Sequence, residues 1–146
     1  MSDSPKMIFV NLPVADLAKS KAFYEALGFT NEPRFSDDTG AAMVWSETIF
    51  VMILSHEKWK GFTDRPIAPA TSSEVSLALA LGSREAVDAM VEAAAAAGGT
   101  ADINPVQDHG FMYGRDILAP DGHVWGPFWM EHAVANGEAP VPETSV

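Results

Sequence analysis

The residues of this chain best equipped for chemistry lie near its C-terminal end, in "VQDHGFMYGRDILAPDGHVWGPFWM". Strand alternation over "MYGRDIL" sets Tyr113, Arg115 and Ile117 on one face and Met112, Gly114, Asp116 and Leu118 on the other. An arginine and an aspartate among apolar strand residues each need a partner, because an unpaired charge there is costly. Two readings stand. One is a structural ion pair or a hydrogen bond to a neighbouring strand. The other has Arg115 offering its planar fork of donors to a carboxylate or phosphate of a small molecule. His109, beside Asp108, could work as a general base or contact an anion. Adjacent loop residues orient one another poorly, so the plainer reading is a solvated histidine.

Three further histidines are available. His56 follows an apolar run, His123 follows an Asp-Gly turn, and His132 stands at odd separation from His123, so a continued strand would point those two apart. With no cysteine in the chain, a disulfide framework, a zinc–thiolate site and a thiol nucleophile are all excluded. No nucleophile and base stand at a recognisable spacing, so metal-free acid–base catalysis by Tyr113, Arg115, Asp116 or His109 ranks last.

The elements that must hold these groups are legible from period and punctuation. "MIFVNLPV" (residues 7–14) reads as a strand. Asp16 is an N-cap for a helix in which Leu17, Ser20, Tyr24 and Leu27 form one stripe, with Phe23 beside it and Gly28 as the stop. Strands are expected at 29–35, 41–45 and 49–54, turning at "DDTG" and "SET". Residues 55–73, rich in Ser, Pro and mixed charge, form a connection long enough to be a lid or linker. The order then repeats. A strand at 75–81 leads to an N-cap at Ser83 and a helix with Val87, Met90, Val91 and Ala94 on one stripe, ending at Gly98-Gly99. Strands follow at 100–106, 112–119 and 123–130. The chain is therefore α+β, with tandem βαβββ modules at 7–54 and 74–131, a linker at 55–73 and a tail at 132–146, within one domain over 1–146. Two apolar sheet faces of this kind enclose a cup.

Of 146 residues, 47% are hydrophobic and 20% charged, the balance of a globular chain. The net charge of -11 repels a nucleic-acid backbone and favours cationic ligands. No apolar run reaches the roughly 18 residues that a membrane span requires. The opening "MSDSPKMIFVNLPV" lacks the pattern of a secretory signal, so a cytoplasmic location is the expectation. Both ends, "MSDSP" and "GEAPVPETSV", are expected to fray.

"VADLAKSKAFYEALGF", "SREAVDAMVEAAAAAGG", "GFMYGRDILAPDGHVWGPFWM" and the doubled order together resemble the vicinal oxygen chelate superfamily, in its glyoxalase/bleomycin-resistance group (lactoylglutathione lyase-like), over residues 7–131. That resemblance implies a cup-shaped sheet, commonly completed by pairing of two chains, and so a homodimer. In metal-using relatives it implies a divalent ion held by four inward-facing His and Glu side chains. Carried onto this sequence, those positions are Phe9, five residues before Val14 of "VADL"; Gly126, four after the turn glycine; and their repeat mates Ser76 and Met52. None supplies imidazole, carboxylate or thiolate, and the neighbours one residue away are no better. No cofactor is therefore expected, although the resemblance would imply a divalent metal. On the same basis Gly126 and Phe128 share the ligand-bearing face of the last strand with Val124 and Met130, and Phe9, Met52, Phe128 and Met130 line the cup, while Trp125 and Trp129 pack beneath the helices. The expected function is the binding of a small aromatic or cationic molecule in an apolar cup, with Phe9, Met52, Ser76, His109, Tyr113, Arg115, Asp116, Gly126 and Phe128 as contact residues. The alternative is a metal-dependent, glyoxalase-like lyase or isomerase.

Overall fold

Each β-rich run leaves one apolar face, and a helix covers it. In the computed structural model, which describes residues 5–142, the first half runs β1 (Ile8–Val14), α1 (Leu17–Leu27), β2 (Thr30–Glu32), β3 (Gly40–Val44) and β4 (Ile49–Ser55). After α2 (His56–Lys60) the second half runs β5 (Ser76–Ala80), α3 (Arg84–Ala96), β6 (Thr100–Ala101), β7 (Gln107–Asp108), β8 (Met112–Gly114), β9 (Ile117–Leu118) and β10 (Val124–Met130), and α4 (His132–Ala135) follows. The fraying expected at residues 1–4 and 143–146 falls outside the described residues.

The duplication is visible in the strand pairing. The first sheet has the order β1-β4-β3-β2, with β1 parallel to β4. The second has β6-β9-β10-β8-β7, with β5 parallel to β10. In each half, therefore, the opening strand lies parallel to the closing one. Asp16 caps α1 by accepting the Lys19 N–H, and Gly28 ends it in the left-handed region at φ 108°. Ser83 caps α3 by accepting the Ala86 N–H. The buried stripe of α3 is Val87, Met90, Val91 and Ala94, the set read from the sequence.

The core is continuous across the halves. Phe23, Tyr24 and Phe29 from the first half share it with Val91, Ile117 and Trp125 from the second. Trp125 Nε1 donates to the Tyr24 hydroxyl at 3.0 Å, and its ring meets Tyr24 and Phe29 edge-on. Burial pushes the Tyr24 phenol well above its ordinary value, so it stays neutral. Asp121, in the turn before β10, reaches back to the first half. Its Oδ1 accepts the Ala15 N–H at 2.8 Å and its Oδ2 accepts the hydroxyl of buried Ser20. His123 Nε2 meets the Pro13 carbonyl at 2.7 Å; that oxygen only accepts, so Nε2 carries the proton.

Several strands are shorter than expected, each for a local reason. β2 stops at Glu32 because Pro33 has no N–H for the ladder and starts a 3-10 turn instead. The strand expected at 100–106 ends at Ala101, where Asp102 takes a positive φ of 53°. The strand expected at 112–119 divides into β8 and β9. Arg115 N–H donates to Pro127 O, but Pro127 has no N–H to return the bond, so the ladder lapses. Residues 55–73 hold α2, capped by Ser55, and the expected tail holds α4, whose Val134 is buried.

Candidate functional site

The second sheet presents a cleft of about 310 Å³ lined by Ser76, Ala78, Met112, Asp116, Gly126 and Phe128. Strand register explains why Asp116 is there. Phe128 lies opposite Gly114 and Trp125 opposite Ile117, so the same register sets Asp116 opposite Gly126. A Cβ at residue 126 would stand 2.9 Å from Asp116 Oδ1, so the missing side chain is what leaves room for this carboxylate. Ser76 Oγ is 4.0 Å from that same point. Asn104 Nδ2 donates to Asp116 Oδ2 at 3.0 Å and orients it.

The first sheet has its own cleft, of about 370 Å³, with Met52 and its register partner Asn11 on the wall. Phe9 shares that sheet face but is 53% exposed and stacks on Phe50, ring centroids 4.6 Å apart. Ser76 and Gly126 are thus brought together with Phe128 and Asp116, whereas Met52 and Phe9 belong to the other half.

The side chains of Tyr113 and Arg115 bond on the α3 side, and Arg115 also borders the cleft. Arg115 donates from Nε and Nη2 to the two oxygens of Asp102, at 2.9 and 2.6 Å, and from Nη1 to Asp88 Oδ1 at 2.9 Å. The Tyr113 hydroxyl donates to the same Asp88 oxygen at 2.6 Å. The bond to Asp102 raises the guanidinium's affinity for its proton further, and those to Tyr113 and Arg115 hold the Asp88 carboxyl below its ordinary value. This is the ion-pair arrangement for Arg115. Its partners Asp88 and Asp102 lie on a helix and a turn, outside the strand that alternation describes.

Asp108 pairs with Arg84, with no hydrogen bond to His109 among the described residues. It takes a two-pronged bond from Arg84 at 2.9 and 3.0 Å, and the Arg84 guanidinium lies 5.1 Å from the Tyr113 ring and 5.2 Å from the Trp129 ring. His109 opens the β7–β8 turn, its N–H donating to Met112 O. Trp125 is core, while half-buried Trp129 serves as a platform for Arg84. The bonds from Arg84, and then from the Gly110 N–H, hold the Asp108 carboxyl down to about 2. A carboxylate depressed in the folded state stabilises above its unfolded pKa, about 3.9, and loses that contribution as pH falls through the folded value. Asp108 should therefore weaken the fold between about pH 4 and pH 2. A carboxyl-carbon NMR titration checks this. In Arg84→Gln the Asp108 midpoint should rise toward that of an ordinary aspartate, and a midpoint still near 2 would refute the assignment.

Comparisons with known proteins bear on this geometry. A family model described as "bleomycin resistance protein-like N-terminal" matches residues 6–44. No curated protein matches the chain in sequence. Among solved structures, a hypothetical protein from S. aureus superposes with TM-score 0.72 at 24% identity, covering 87% of this chain and 95% of that one. A glyoxalase/bleomycin resistance protein/dioxygenase family enzyme from Burkholderia phytofirmans PsJN gives 0.71 at 20% identity, over 86% and 99%. A glyoxalase-related enzyme from Fulvimarina pelagi gives 0.72 at 18% identity, over 85% and 87%. These likenesses establish the fold, and the N-terminal match adds a sequence tie. The fold is that of the glyoxalase/bleomycin-resistance structures, and residues 6–44 match the bleomycin-resistance-like N-terminal model.

The four positions that the sequence resemblance singles out for a metal carry no ligand chemistry. Phe9, Met52, Ser76 and Gly126 offer one hydroxyl between them, and among the described residues no three His, Asp or Glu side chains gather in a way that could hold an ion. A lone carboxylate from Asp116 beside Gly126 is not a divalent-metal site. The residues present do not fit the group. The Asp116–Gly126 pairing escapes a reading of either strand alone, but it can be counted outward from the Asp121-Gly122 turn, where the Ala119 N–H donates to His123 O.

Proposed function

We propose that this protein binds a small aromatic or cationic molecule in the apolar cup of its sheets, without the superfamily's usual metal, and does so as a homodimer. The observation that carries the reading is the Asp116 carboxylate. It occupies the space that a side chain at 126 would fill, oriented by Asn104 and flanked by Phe128, Met112 and Ala78. A carboxylate in an apolar cleft of an acidic protein favours a ligand with an ammonium or amidinium group on a flat body. The dimer rests on Ile8 and Phe9, large apolar residues in the opening strand that one chain leaves 55% and 53% exposed.

Calorimetry with aromatic amines and their uncharged isosteres tests the ligand class. Asp116→Asn should weaken amine binding about tenfold or more, the worth of a hydrogen bond to a charged group. Equal affinity in the variant would remove Asp116 from the site. Stabilisation by added Ni²⁺, Zn²⁺ or Mn²⁺ with turnover of an α-oxo thiol adduct would favour the alternative, a glyoxalase-like lyase or isomerase. Light scattering at micromolar concentration should give the mass of two chains.

A further inference from the structure

A cavity of about 830 Å³, larger than either sheet cleft, lies between the connection that follows β4 and the seam of the two halves. It shares no wall residue with the second-sheet cleft that holds Asp116, while Asn11, Leu54 and Phe62 border both it and the first-sheet cleft. Its apolar lining includes Trp59, Phe62, Ile67 and Val75, and its size suits a small organic molecule. The connection is seated by close packing. A Cβ on Gly122 would come within 2.6 Å of Ala70 O, so only glycine in that turn lets the connection lie so near.

This cavity places a cationic side chain on the wall of an otherwise acidic molecule. The chain has nine Lys and Arg against twenty Asp and Glu, and Arg65 is the one Lys or Arg on this wall. Arg34, Arg84 and Arg115 are all held in ion pairs, whereas Arg65, on the cavity wall, has none among the described residues. His123, also on the wall, has Nε2 engaged by Pro13 O, and its Nδ1 has no partner among the described residues. Glu74 on the same wall disfavours a second negative group.

We infer that this cavity is a second ligand site, for a planar aromatic monocarboxylate whose acid group is held by Arg65 and whose ring lies among Trp59, Phe62 and Ile67. A guanidinium meets a carboxylate through two parallel bonds, a geometry a lysine does not reproduce. The site is complete in one chain, so its stoichiometry is one per chain.

Calorimetry with 2-naphthoate is the test, using 2-naphthylmethylamine as the cation of similar shape. Saturable binding of one naphthoate per chain is expected, at least tenfold weaker in Arg65→Gln, intermediate in Arg65→Lys and unchanged in Asp116→Asn. The Trp59 indole N–H resonance, assigned by its loss in Trp59→Phe, should move on titration. Arg65 is exposed, so equal melting temperatures for the Arg65 variants and the parent keep the comparison one of binding. No saturable binding up to millimolar naphthoate, equal affinity in Arg65→Gln, or loss in Asp116→Asn would each overturn the inference. The last result would move the acid to the sheet cleft instead. An amine that binds the sheet cleft without displacing naphthoate would keep the two sites separate.

Discussion

Trp125→Ala is expected to destabilise the protein by about 3–5 kcal/mol, the range for removing a large buried aromatic side chain. Trp125 comes from β10 of the second half, yet its ring packs on Tyr24 and Phe29 of the first, and its N–H is the donor to the Tyr24 hydroxyl. The substitution therefore opens a void in the seam and leaves a buried hydroxyl without its partner. Urea unfolding followed by circular dichroism checks the size, and the midpoint should fall in one transition because both halves share the core. Trp125→Phe separates the two effects. It keeps most of the ring and loses the hydrogen bond, so about 1–2 kcal/mol is expected. A cost under about 1 kcal/mol for Trp125→Ala would contradict a common core, since core truncations of this size are rarely so mild.

Asp121→Ala should cost about 2–3 kcal/mol, through a different route. The carboxylate accepts from the Ala15 N–H and from Ser20, whose side chain has no exposure, and each loses its acceptor in the variant. Asp121→Asn retains one carbonyl oxygen and should fall between the alanine variant and the parent. Hydrogen exchange supplies the local readout: the Ala15 amide should lose protection in Asp121→Ala more than the amides of β3 do. Equal protection at Ala15 in parent and variant would mean that the turn does not clamp the halves.

Both substitutions act on the seam, and the seam is where the sequence is least legible. The repeat, the helix caps at Asp16 and Ser83 and the buried stripe of α3 follow from residue type and period, because each depends on neighbours within one turn or one strand. Asp121 reads locally as a turn residue, and nothing within a few positions announces that its acceptors serve Ala15 and Ser20, more than a hundred residues away. Arg115 shows the same limit. Its need for a partner was plain from its apolar surroundings, but the partners, Asp88 and Asp102, depend on how α3 and the turn after β6 lie against β8.

What the sequence alone determined is the doubled βαβββ order, since it depends on residue identity and spacing, and the residue types at Phe9, Met52, Ser76 and Gly126, which the resemblance singles out and which lack ligand chemistry. What the tertiary structure decided is how that lack is used. Cross-strand register brings Asp116 opposite Gly126, and a missing Cβ becomes room for a carboxylate. The packing of the connection against Gly122 likewise shapes the cavity around Arg65. Both are contacts between segments distant in the chain or on different strands, and their geometry is set by the packed sheets.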